Sequence, residues 1–199
     1  GLENAGVKSD DRGFISINKY LQTSVKNIYA CGDAAGPYQF THMAGYQAGV
    51  VLRNIIFPLK KSAVDYSAVP WTTFTKPEVA HAGYTEQAAR ESGRFKDTVM
   101  VDLGDMDRAQ AENDTTGFLK LILGKKNRII GAAMIGNRAG EIIPLASMAI
   151  RSRMKATGFM PQIFSYPTEA EIFKFASYAF ARQSFKPWMK IVVQKVLFR

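Results

Sequence analysis

Apolar and polar positions in the first part of the chain follow two rhythms. Gly13-Phe14-Ile15-Ser16-Ile17 alternates as a short strand does, and Asn27-Ile28-Tyr29-Ala30-Cys31 is an apolar run closed by Gly32-Asp33, the pattern of a buried parallel strand. A glycine-containing turn follows. From Thr41 to about Phe57 small and apolar residues recur at helical spacing, with Thr41 placed as the N-cap and Pro58 ending the helix.

Residues 58–69 lose this periodicity and read as a linker, so a domain boundary is expected near residue 65, dividing the chain into 1–64 and 65–199. Beyond it the pattern changes character. Pro70 to Thr75 is strand-like, Thr85 to Ser92 reads as a short helix capped by Thr85, and Thr98 to Leu103 reads as a strand. Gly117 to Gly124 and Arg128 to Gly136 are two further strands. Lys125-Lys126-Asn127 between them makes a hairpin turn, so they are expected to pair antiparallel. Gly140 to Arg153 and Thr168 to Ala181 have amphipathic helical periodicity. Strands first and helices after give an α+β second domain with an antiparallel sheet, preceded by an α/β segment.

Composition narrows the class. The chain has 199 residues, 47% of them hydrophobic and 22% charged, enough for one or two packed domains and unlike a disordered or fibrous chain. No apolar run approaches the roughly 20 residues of a membrane-spanning helix, so a soluble protein is expected. A lone cysteine, Cys31, leaves no internal disulfide framework and reads as a packing residue, while two histidines, His42 and His81, argue against a histidine-rich metal centre. The net charge is +9, but the bases fall into separate clusters at Lys60-Lys61, Lys125-Lys126, Arg151/Arg153/Lys155 and the tail from residue 182 to 199. Scattered clusters are ordinary solvated surface. A nucleic-acid stripe or a membrane-lying amphipathic tail are the alternatives they leave open.

Chemistry concentrates first at Gly32-Asp33. A carboxylate at the end of a buried strand, after a glycine that lets a ligand approach, is placed to accept hydrogen bonds from ribose or ribityl hydroxyls; the alternative is a turn aspartate capping the next helix. The stretch Thr23 to Asp33 resembles the second FAD-binding motif of the pyridine nucleotide-disulfide oxidoreductases, the family of lipoamide dehydrogenase, glutathione reductase and mercuric reductase. The resemblance continues through Gly36 to Ala44. It implies that Asp33 binds the ribityl or ribose part of FAD and that Gln39, Phe40, Thr41 and His42 line the flavin at a helix N-terminus, where amides and the helix dipole favour electron density on the ring. For His42 alone, an ordinary helix-start histidine is the competing reading.

The second half resembles the same family's C-terminal interface domain through Val69 to Ala80, Thr85-Glu86, Asp107-Arg108-Ala109, Gly117 to Lys120, Ile130 to Ala132 and Gly136 to Glu141. Ser165-Tyr166-Pro167-Thr168-Glu169-Ala170-Glu171 falls where members carry His-Pro-Thr-x-x-Glu, whose histidine is the acid/base for the partner subunit's thiol pair and whose glutamate orients it. Tyr166 stands at the histidine position. A phenol with a pKa near 10 is a poor proton shuttle at neutral pH, which puts ordinary dithiol exchange in doubt. Mercuric reductases carry a tyrosine there too, but they end in a vicinal cysteine pair that this sequence lacks. Glu171 keeps its place, with a first-turn helix carboxylate as its alternative.

Neither a Gly-x-Gly-x-x-Gly fingerprint nor a redox cysteine pair is present, so the sequence is expected to be a C-terminal piece: part of the FAD-binding domain and a whole interface domain, inactive alone. The resemblance implies an FAD-dependent, NAD(P)H-using, mercuric reductase-like oxidoreductase of cytoplasmic redox homeostasis, passing hydride through FAD to a thiol, disulfide or metal substrate. Its catalytic residues would be Tyr166 and Glu171, with no metal site, and it would be a homodimer through residues 65–199. The alternatives are a dimerisation module without catalysis and a basic membrane- or nucleic-acid-binding domain.

Overall fold

The computed structural model describes residues 1–184, and these divide into two compact units, residues 1–66 and residues from 67 onward. In the first unit the sole long element is α1, Thr41–Ile56. It buries Met43, Gln47, Val50 and Asn54, spaced by four, three and four residues, and this spacing brings all four to one face. Phe40, in extended geometry, is the residue before the helix; Thr41 is the first helical residue and not the cap expected of it. The cause is backbone geometry, since a cap must sit outside the helix and the chain turns one residue earlier.

The two strands expected before α1 do not form. Their segments make single antiparallel bridges, Ser9 with Ile15 and Gln22 with Tyr29, because a strand exists only where a neighbour completes its ladder. Cys31 is accordingly exposed and not the packing residue its apolar neighbours suggest. Asn54 closes the unit by accepting from the Ser62 amide at 2.7 Å and donating to the Ser62 carbonyl at 3.0 Å.

The second unit is built on a five-stranded antiparallel sheet: β1 (Pro70–Thr73), β2 (Glu78–Gly83), β3 (Asp97–Asp102), β4 (Phe118–Leu123) and β5 (Ile129–Gly136), in the order β1-β2-β5-β4-β3. The β4–β5 hairpin is as the alternation predicts. Strand β2 leaves little trace in the sequence, since Glu78-Val79-Ala80-His81-Ala82-Gly83 has little of the β-branched alternation that marks a strand. It is a strand because β1 and β5 pair with it on both sides. Helix α2 (Glu86–Glu91) is capped as expected, Thr85 Oγ1 accepting from the Ala88 amide at 3.1 Å.

Helices α4 (Ala139–Ile142), α5 (Pro144–Arg151) and α6 (Ile172–Gln183) supply the other half of the core. The single helix expected over 140–153 is thus two, with Pro144 beginning the second. The helix expected from Thr168 opens as a 3₁₀ turn at Glu169–Glu171 before α6. Ala80, Ala82, Leu119, Leu121, Ala132 and Met134 from the sheet pack with Ala146, Ala149, Phe173 and Ala176 in one buried cluster. The other sheet face carries a cross-strand row of Trp71, His81, Ala133, Lys120 and Met100. The basic tail read over 182–199 lies outside the described residues from 185 onward. No helix among the described residues is long and apolar enough to cross a membrane.

His81 is buried at 9% exposure beneath Trp71, with ring centroids 4.4 Å apart, and its Nε2 lies 2.9 Å from the Gly83 carbonyl. Burial holds its imidazole below the ordinary value of 6.5, only partly offset by that carbonyl. The folded chain therefore resists a proton that the unfolded chain accepts, and the stability His81 contributes is complete above pH 6.5 and lost as pH falls toward the depressed native value. Urea midpoints measured between neutral and mildly acidic pH should fall accordingly. His81→Gln, which keeps a donor for Gly83, should flatten that part of the slope; an unchanged slope would contradict it.

Candidate functional site

The candidate residues lie on both units, Asp33 and Gln39 to His42 on the first, Tyr166 and Glu171 on the second. In the first unit the chain turns through a 3₁₀ segment, Gly32–Ala35, immediately after the extended Cys31. Gly32 has φ +71° and approaches α1 so closely that an added Cβ would stand 3.1 Å from the Ala44 Cβ, which is why the turn needs glycine. The turn is clamped from the helix. Gln47, fully buried, accepts from the Gly32 amide at 2.6 Å through Oε1 and donates to the Tyr66 hydroxyl at 2.9 Å through Nε2.

With its backbone fixed this way, Asp33 presents an exposed carboxylate that makes no hydrogen bond or ion pair among the described residues. It does not cap α1, whose preceding residue is Phe40. Gln39 is exposed and Phe40 half-buried before the helix, with Thr41 and His42 exposed in its first turn. The Phe40 and His42 rings are nearly parallel, 9° between planes and 5.2 Å between centroids. The first turn of a helix this long leaves amides with no partner inside the helix and carries its positive end.

In the second unit Tyr166 is 72% exposed, and its hydroxyl donates to Asp107 Oδ2 at 2.8 Å. That hydrogen bond first, and the negative charge of Asp107 second, push the phenol above its ordinary pKa, with Glu171 adding to the effect. Glu171 Oε2 accepts from the Thr168 amide at 3.2 Å, the carboxylate half of a capping box. The structure thus brings Tyr166 together with Asp107, and it gives Glu171 the helix-start role that competes with orienting.

Residue-by-residue reasoning missed what surrounds this turn. Asp107 begins a short helix α3 (Asp107–Ala111), and Glu112 follows it. Arg108 pairs with Glu112, Arg138 donates to Glu112 Oε2 at 2.7 Å, and the same guanidinium donates to Glu169 Oε1 at 2.7 Å. Glu169 is buried at 4% exposure and its Oε2 has no hydrogen-bond partner among the described residues. Burial pushes its carboxyl above the ordinary range, against the pull of Arg138. A charged residue at a core position three before an apolar helix was the signal available for this buried pair. Gln47 sits likewise on the buried stripe of α1.

A family profile described as pyridine nucleotide-disulphide oxidoreductase, dimerisation domain, matches residues 69–177, and one described as pyridine nucleotide-disulphide oxidoreductase matches residues 1–48. A mercuric reductase of Staphylococcus aureus is 37% identical over 180 residues, 90% of this chain and 33% of that protein. A dihydrolipoyl dehydrogenase of Geobacillus stearothermophilus is 39% identical over 173 residues, 86% of this chain and 36% of that protein. Among solved structures, the Cu(II) complex of the HOCl-induced flavoprotein disulfide reductase RclA from Escherichia coli superposes with TM-score 0.79 at 31% identity, covering 89% of this chain and 40% of that one. The chain spans about a third of the curated relatives it matches.

The Gln47 clamp can be tested on stability alone. Gln47→Leu keeps the volume but leaves the buried Gly32 amide without an acceptor, and should cost about 1–3 kcal/mol in urea unfolding. A change within experimental error would show that Gln47 does not hold the turn.

Proposed function

The chain belongs to the pyridine nucleotide-disulphide oxidoreductase family, and on that premise we propose that it is the flavin-side and dimerisation part of an FAD-dependent, NAD(P)H-using oxidoreductase. FAD, when bound, supplies the chemistry that takes up hydride and passes electrons on. The first unit suits that cofactor. Asp33 offers an unpaired carboxylate for ribityl or ribose hydroxyls, on a turn that Gly32 holds close against α1. Gln39, Phe40, Thr41 and His42 line the flavin ring, where the positive end of α1 favours the reduced form.

Residues 65–199 are the part through which the chain forms a two-fold homodimer, in which Tyr166 and Glu171 face the partner's site; a C2 contact makes each site composite in this way. The observation that carries the acceptor assignment is the Tyr166–Asp107 hydrogen bond. A phenol held this way, with its ionisation pushed upward, is unsuited to shuttling protons at neutral pH, whereas thiol–disulfide exchange needs such a shuttle. This favours a metal ion as acceptor over a disulfide, in line with the relative named mercuric reductase. A cytoplasmic enzyme with a part in redox homeostasis completes this reading.

Two variants of the full-length enzyme test these assignments. Asp33→Ala should weaken FAD binding by about tenfold or more, the loss of a charged acceptor, read as flavin absorbance retained after dialysis. Full retention would remove Asp33 from the cofactor site. Tyr166→His would set an imidazole beside Asp107, a carboxylate able to orient it, and should raise turnover of a small disulfide by about a hundredfold. An unchanged rate would show that this position carries no acid/base role.

A further inference from the structure

Asp107 sits at the start of a five-residue helix, too short to be stable alone. Yet its carboxylate meets the phenol of a residue 59 positions away. The helix is held from its other end. Glu112, the residue closing α3, accepts from Arg138, and Arg138 reaches on to Glu169, three residues after Tyr166. Both ends of α3 are therefore tied to the turn that carries Tyr166, once directly and once through Arg138. Glu169 can anchor the second tie because it is buried, where a charged hydrogen bond is strong and hard to exchange for water.

We propose that Asp107 is a positioning residue for Tyr166: it takes up the phenol's O–H and turns the lone pairs of the oxygen outward, toward the acceptor. The proposal rests on the assignment of Tyr166 to the acceptor site. Its consequence is one of specificity. A phenol whose only proton is committed to Asp107 offers an approaching substrate an electron-rich oxygen and not an acid. Ionising it would place a second negative charge 2.8 Å from Asp107, with Glu171 also contributing, and the raised phenol pKa agrees with that cost. An exposed tyrosine without this bond would exchange its O–H freely with water and sample several rotamers.

The test uses the full-length holoenzyme with Tyr166→Phe, Asp107→Ala and the double variant, assayed with NADPH or NADH and with Hg(II) or a small aromatic disulfide as acceptor. Asp107→Ala should lower kcat by about tenfold with little change in KM for the better acceptor, the cost of a misplaced group. The effect should vanish in the Tyr166→Phe background, because Asp107 acts only through the phenol. Asp107→Asn, which keeps an acceptor at the start of α3 and so guards against misfolding, should shift the phenolate absorbance step assigned to Tyr166 to lower pH. Two results overturn the proposal alone: losses from Asp107→Ala and Tyr166→Phe that add independently, or a phenolate step unmoved in Asp107→Asn. If Tyr166→Phe turns over like the wild type, the placement of Tyr166 at the acceptor fails, and the proposal fails with it.

Discussion

The second unit depends on how closely its neighbours can approach β5. This strand is the middle of the sheet, paired with β2 on one side and β4 on the other, and half of its sequence Ile-Ile-Gly-Ala-Ala-Met-Ile-Gly is glycine or alanine. Gly131 has the Tyr84 carbonyl where a Cβ would stand, only 1.9 Å away, so no other residue fits there without moving the backbone. A Cβ at Gly136 would stand 2.6 Å from the end of the Leu103 side chain, which would have to move. Small residues here let three strands and α5 close on one another, and the buried cluster of leucines, methionines and alanines follows from that approach.

That strand also places the chemistry. The chain leaves β5 at Gly136 and reaches Arg138 within two residues, so the register of the sheet fixes where the guanidinium stands. Glu78 on β2 then accepts from the Gly140 amide at 2.8 Å and holds the start of α4 against the sheet. From this anchored position Arg138 joins Glu112 to Glu169, and the turn bearing Tyr166 is fixed against α3. The exposed ion pairs along this path contribute little energy individually. Their effect is geometric: they convert the rigidity of a buried sheet into a fixed orientation for an exposed phenol. In the first unit Gln47 does the same with neutral groups, transmitting the position of α1 to the Gly32 turn.

Legibility in the sequence followed the range of the forces involved. The β4–β5 hairpin and the Thr85 cap depend on residues a few positions apart, and both were visible in the alternation and in one threonine. Strand β2 was not, because its pairing with β5 joins residues about fifty positions apart and overrides a weak local preference. The opposite error occurred at Asn27 to Cys31, where strong local preference found no neighbouring strand to pair with. At the candidate sites the sequence singles out Asp33, Tyr166 and Glu171 by their place in short motifs. Asp107, Arg138 and Glu169 were not assigned roles, since a hydrogen bond spanning 59 residues leaves no periodic trace.

The account requires that Tyr166 serve a site completed by a second copy of the chain, and that requirement can be measured without knowing the electron acceptor. Sedimentation equilibrium of the 199-residue chain, followed at protein and flavin wavelengths, reports association directly. A species of twice 22.1 kDa is the result the account predicts. A single species of 22.1 kDa at every concentration examined would contradict it, because no partner subunit would then be present for Tyr166 to face.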